Sequence, residues 1–328
     1  MKAPLRITIL LAGAAASTAL FATCSGGGTD GSGTETTIDV AAVQTGLEET
    51  GAFAAVCHAA PNPGSAVRAN LKTETLSKVV KHIREASLRT GPIYRHLGST
   101  PPPDEFGDCG GRITFSNYSH SNGVTTATLV FDSFCSISDD VGGNHITLDG
   151  DVSFVDTGTP SAFGPITTKI EADSPNGVTT DTETPGGTPL ASSKLSFNDF
   201  LLQVGVPGGE PTSSNPDRVS IDELRFSNLV SGKSYRQTDY SLTEYLTPSG
   251  SQVVNFTGRG YRSNGDFYDI RTTSPLTLDA NGDFASGQVT FSGSGSSEAV
   301  FTIFPGSVLQ LTLTVNGTPV TTVPACNP

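Results

Sequence analysis

From residue 112 onward, bulky apolar residues alternate with Thr, Ser and charged side chains, a period of two that puts one set on each face of a strand. The runs are rich in Val, Ile, Phe and Thr and are bounded by Gly, Asn, Asp and Ser, which punctuate strands with turns. They predict strands at 112–118, 126–134, 145–155, 195–204, 218–229, 235–246, 252–261, 267–278, 287–293 and 308–315. About ten strands at this spacing imply a mainly β fold, an antiparallel meander built as a curved sheet, a sandwich or a barrel. The stretches 175–187 and 207–216, dense in Pro, Gly and Asn or Ser, are expected to be long surface loops.

Before residue 104 the period changes. Val67, Leu71, Val79, Val80, Ile83 and Ala86 recur at helical spacing, Ser65 stands where an N-cap belongs, and Gly91-Pro92 follows as a stop. This predicts one amphipathic helix at about 66–90, packed by its apolar stripe on the sheet. The chain thus divides into 1–23, 24–50, a helical segment 51–103 and a β domain 104–328.

A short echo recurs within the β domain. Phe115-Ser116-Asn117-Tyr118, Phe131-Asp132-Ser133-Phe134, Phe197-Asn198-Asp199-Phe200 and Phe226-Ser227-Asn228-Leu229 each hold two bulky apolar residues around two polar ones. The spacing between copies is irregular, so no solenoid or propeller follows.

The N-terminus carries a different signal. Lys2 and Arg6 precede an uncharged run over 7–22, the order of an export signal, and 16 residues diluted by Ala, Gly, Ser and Thr fall short of the about 20 needed to span a bilayer. The run ends in Leu20-Phe21-Ala22-Thr23-Cys24, which resembles the lipobox of bacterial lipoproteins, with Phe21 and Thr23 departing from its commonest residues. The resemblance implies cleavage before Cys24 and a thioether-linked diacylglycerol plus an N-acyl chain on it. Gly26, Gly27, Gly28, Gly31 and Gly33 then make 24–50 read as a flexible tether. The membrane is therefore an expected partner through the anchor at Cys24. Ser25 after that cysteine resembles lipoproteins sorted to an outer membrane or cell surface.

Charge narrows the partners. Without Lys2 and Arg6, 17 Lys+Arg face 32 Asp+Glu, a formal charge of −15 that makes nucleic acid an improbable ligand. The cations Arg68, Lys72, Lys78, Lys81, Arg84, Arg89 and Arg95 cluster around the helix, whereas 104–328 holds 10 Lys+Arg against 25 Asp+Glu. Apart from Cys24 there are four cysteines, an even number for an oxidising compartment. The pairing favoured by position joins Cys109 to Cys135, which flank one β-rich stretch, and Cys57 to Cys326, which would staple the two ends. No C-x-x-C or Cys/His spacing suggests a metal.

Catalytic signatures are sparse. The histidines His58, His82, His96, His120 and His145 are scattered, and no G-x-S-x-G elbow, H-E-x-x-H helix or phosphate loop occurs. Asp279, Asn281 and Asp283 offer the alternating oxygens of a calcium loop, but Phe284 stands where an EF-hand needs Gly, and a turn at Asn281-Gly282 is the simpler role. Asp149 and Asp151 alternate along a strand after Asp139-Asp140 and would share one face, a pattern that also keeps a solvent face soluble. No Trp is present, which disfavours a glycan-stacking surface. These observations predict no catalytic residue and no cofactor. They point to an envelope lipoprotein whose β module binds a ligand or envelope protein or serves structurally. An envelope hydrolase with a site assembled from loops is the alternative. A transmembrane β-barrel is disfavoured by the lack of aromatic girdles and of evenly spaced ten-residue strands.

Overall fold

The computed structural model describes residues 35, 37–38, 101, 103–137, 143–159, 166–230, 232–261, 265–278, 284–304 and 310–319 of the chain. The segment 1–23, Cys24, Cys57, Cys326, the helix expected at 66–90, and Asp279, Asn281 and Asp283 lie outside the described residues.

The β domain consists of β1 (Glu105–Phe106), β2 (Gly110–Ser121), β3 (Val124–Ile137), β4 (His145–Thr159), β5 (Ile166–Glu183), β6 (Pro189–Gln203), β7 (Asp217–Asn228), β8 (Lys233–Leu246), β9 (Gln252–Tyr261), β10 (Phe267–Leu278), β11 (Phe284–Ser292), β12 (Glu298–Phe304), β13 (Gln310–Val315) and β14 (Thr318–Pro319). Each strand pairs with the next in one 14-stranded sheet. Every pairing is antiparallel. Of the three architectures expected, the described residues form an open sheet, and neither a sandwich nor a closed barrel is seen among them. Its terminal strands β1 and β14 are two residues each, too short to offer a closing ladder.

The turns follow local chemistry. Asn122-Gly123 joins β2 to β3 and Asn316-Gly317 joins β13 to β14, all four residues having positive φ as a two-residue hairpin loop requires. The 207–216 stretch is a loop as expected. The 175–187 stretch is not: β5 continues through it to Glu183. Gly177, at φ +78, absorbs a register shift between Ser174 and Val178, after which Val178, Thr180 and Thr182 alternate inward. β12 was hidden for another reason: in the run from Ala299 to Phe304 only Thr302 is polar, so no alternation marks it.

Inward positions from β2 to β13 form one contiguous apolar face, in which Ile113, Leu129, Leu148, Val152, Ile170, Leu242 and Phe291 are fully buried. At about 25 cal/mol per Å² of apolar surface this burial is the main stabilising term. Outward positions carry Thr, Ser, Asp, Glu and Arg, the reverse of a lipid-facing barrel.

Strict alternation would put Phe131 and Phe134, or Phe197 and Phe200, on opposite faces, yet all four are buried. A bulge resolves the conflict. Asn117, Ser133 and Asp199, the third residue of three echoes, have φ of 52, 47 and 52, and at each two residues oppose one on a neighbouring strand. The fourth echo instead lies where β7 ends, at Asn228. An unforeseen member of the set is Gln237-Thr238-Asp239-Tyr240 on β8, with Asp239 at φ 53 and the same mismatch against β9.

Residues from the expected tether take part in the fold. Glu35 bridges to Phe267 at the start of β10, and Ile38 is buried in the core. The Ile38 N–H donates to Ser297 Oγ at 2.9 Å, and its carbonyl accepts from Asn316 Nδ2 at 3.1 Å.

Candidate functional site

Three arrangements bring polar chemistry together. The first is a half-buried ladder on the outward face of β7 to β10. Arg225, Arg236, Tyr261 and Phe267 are register partners in one row, and Glu223, Thr238, Arg259 and Asp269 lie along the adjacent row. Arg236 Cζ sits 3.8 Å from the Tyr261 ring centroid and Arg259 Cζ 4.2 Å from that of Phe267, while the two rings are 6.0 Å apart. Arg259 donates through two nitrogens to Asp269, at 2.8 and 3.3 Å, and this hydrogen bond raises its pKa further. Glu223 receives Arg225 at 2.5 Å and faces Arg236 at 3.8 Å. Each guanidinium thus already has a carboxylate or a ring face. The ladder presents planar, pre-oriented groups rather than uncompensated charge.

The second lies on the buried face beneath it. Gln237 is fully buried with neither amide atom hydrogen-bonded, and the buried Tyr240 hydroxyl is likewise unpaired. Burial pushes the Tyr240 pKa well above its usual value and holds the phenol neutral. The glycines of β9 make the space: a carbon added at Gly258 would meet Gln237 Nε2 at 3.0 Å and Tyr240 Cδ2 at 3.4 Å, and one at Gly260 would meet Tyr268 Cζ at 2.6 Å. Gln237 occupies the position that Phe holds in the three echo bulges, so the sequence signal existed, but only the fourth bulge shows it.

The third is at the opposite end of the domain. Cys109 and Cys135 are joined by a disulfide with Cα atoms 5.1 Å apart, as their flanking positions predicted. His145 completes a group whose two sulfurs and imidazole nitrogen lie within 4.8 Å of one another. No sequence spacing marks this trio, because strand pairing rather than a short motif assembles it.

The remaining candidates are structural in their contacts. His120 Nδ1 is 2.8 Å from Thr125 Oγ1, and Thr125 pairs in register with Asp156. Thr125 is only 3% exposed, so its hydroxyl is closed to a substrate. Asp149 Oδ1 accepts from Ser133 N–H at 2.8 Å and Ser133 Oγ at 3.2 Å, tying down the β3 bulge instead of working in concert with Asp151. His58, His82, His96 and Asp139-Asp140 lie outside the described residues. Comparison of the chain with protein-family models, with curated proteins and with solved structures returns no match.

Proposed function

We propose that this chain is a lipid-anchored protein of the cell envelope whose open sheet acts as a non-enzymatic binding or structural module. The observation that carries the reading is the seating of Glu35, Thr37 and Ile38 on the sheet. With Ile38 buried and its N–H and carbonyl both engaged, the path from Cys24 to the folded domain is 11 residues. Fully extended, such a segment reaches about 36–40 Å, and as a Gly/Ser-rich coil about 17–20 Å. A lipid at Cys24 would therefore keep the sheet within about 40 Å of a bilayer. The arginine–aromatic ladder supports the partner-binding half of the reading, since Arg and Tyr are enriched where protein surfaces meet.

The test is fractionation of cells expressing the chain with Cys24→Ala. Release from the membrane fraction, with loss of the lipid mass, is expected; retention there at unchanged mass sinks the anchor.

A further inference from the structure

We propose that Cys109, Cys135 and His145 form a redox-gated site for a thiophilic divalent cation such as Zn²⁺, closed while the sulfurs are bonded and opened by a dithiol reductant. The three residues come from successive parts of the meander. Cys109 precedes β2, Cys135 lies near the end of β3, and His145 begins β4. Thr147 is the register partner of Cys135, and His145 lies two residues before it on the same side of the strand, a diagonal neighbour whose imidazole reaches the sulfurs. In the structure the three ligand atoms lie within 4.8 Å of one another. Tetrahedral bonds of about 2.0–2.3 Å put ligand atoms about 3.3–3.8 Å apart, so the imidazole need move by only about an ångström, while the two sulfurs, bonded to one another here, must part by about 2 Å once reduced.

The geometry does not depend on the disulfide alone. Cys109 N–H donates to the Cys135 carbonyl at 3.3 Å, and Gly110 pairs with Cys135 in register. Gly107 lets the β1–β2 turn lie directly on β3: a carbon added there would fall 2.2 Å from the Cys135 carbonyl oxygen. These backbone contacts keep both sulfurs on one spot after the S–S bond is broken. Cys135 is buried and His145 half-buried, a setting that shields a metal while leaving a fourth position for water.

The chemistry balances as follows. A dithiol reductant transfers two electrons and two protons to the Cys109–Cys135 bond, becomes a cyclic disulfide, and leaves two thiols. Zn²⁺ then displaces the two thiol protons to water, forming two Zn–S bonds, and His145 donates its nitrogen lone pair. Reoxidation by a disulfide of the same class releases the ion. Two soft sulfurs and one imidazole select Zn²⁺ over Mg²⁺ or Ca²⁺, which prefer oxygen.

The experiment titrates the full-length protein with zinc chloride before and after treatment with dithiothreitol, removed anaerobically, with Co²⁺ as a coloured substitute. Binding to Cys57 or Cys326 is subtracted by comparing the native chain with Cys109→Ser/Cys135→Ser under the same conditions. The expected result is one additional equivalent of Zn²⁺ in the reduced native chain, a thiolate-to-cobalt charge-transfer band, and neither in the oxidised chain. His145→Ala should weaken the site by more than the roughly 10–100-fold lost with an outer-shell partner. Because the oxidised His145→Ala protein keeps its disulfide, its thermal unfolding checks that the sheet is intact. Equal stoichiometry in the native and Cys109→Ser/Cys135→Ser chains, or an affinity unmoved by His145→Ala in a folded protein, would overturn the proposal and leave a structural disulfide beside a bystander histidine.

Discussion

Replacing Gln237 by Leu should stabilise the protein. At the equivalent bulges the inward residue is Phe115, Phe131 or Phe197, whereas Gln237 places an amide in the core, fully buried, with neither Nε2 nor Oε1 hydrogen-bonded. An uncompensated amide costs about 1–3 kcal/mol in protein interiors, and a near-isosteric apolar replacement removes that cost. Imperfect fit over Gly258 and against Tyr240 returns up to about 1.5 kcal/mol. Taking the middle of each range, the expected net gain is about 1 kcal/mol, a rise in Tm of about 2–4 °C for a domain of this size. The assay is urea unfolding of the disulfide-intact protein with and without the change, with the m-value monitored so that a midpoint shift reports stability. The reciprocal Phe197→Gln should cost about 3–5 kcal/mol, the range for losing a buried ring. A Gln237→Leu protein destabilised by more than 1 kcal/mol would refute the reasoning and show that the amide is engaged in the native state.

Three further outcomes follow from the same geometry. Asp199 sits at φ 52, so Asp199→Gly should change stability little, while Asp199→Val, with a β-branched side chain in the left-handed region, should cost about 1–2 kcal/mol in denaturant unfolding. Cys109→Ser with Cys135→Ser opens a loop closed by a 26-residue separation and should lower stability by about 2–4 kcal/mol, read by the same unfolding assay. Tyr240 has its pKa raised by burial, so the stability it contributes is fully present below its ordinary value near 10 and is lost as pH rises through that value toward the folded one. Tyr240→Phe should therefore flatten the fall in stability measured by unfolding at stepped alkaline pH, and an unchanged slope would contradict the burial.

Much of the sheet was legible because its two faces meet different solvents. The run His145-Ile146-Thr147-Leu148 states its own period, and β4 begins at His145 as the pattern predicts. The signal failed where alternation was interrupted for a physical reason. The Pro-Asn-Gly sequence at 175–177 reads as a loop, yet it is a bulge inside β5, since Gly177 can hold a positive φ while the ladder continues on both sides. In β12 alternation is absent altogether. Closure of the sheet could not be read at all, because local periodicity is the same in a barrel, a sandwich and an open meander. The echo of paired aromatics had a cause that only backbone angles disclose: a left-handed third residue turns two side chains three apart toward one face. The candidate site was less legible still. Cys109 and Cys135 were paired by their positions around one β stretch, but His145 joins them through strand register, which no linear spacing encodes. Gln237 has no mark of its own in the sequence, because only the bulge geometry aligns it with Phe115, Phe131 and Phe197.

The covalent anchor at Cys24 is tested most directly by the mass of the N-terminal peptide from membrane-extracted protein. The predicted result is a peptide that begins at Cys24 and carries both a thioether-linked diacylglycerol and an N-acyl chain. A membrane-fraction peptide containing Cys24 as an unmodified residue, or a mature terminus at another position, would contradict it.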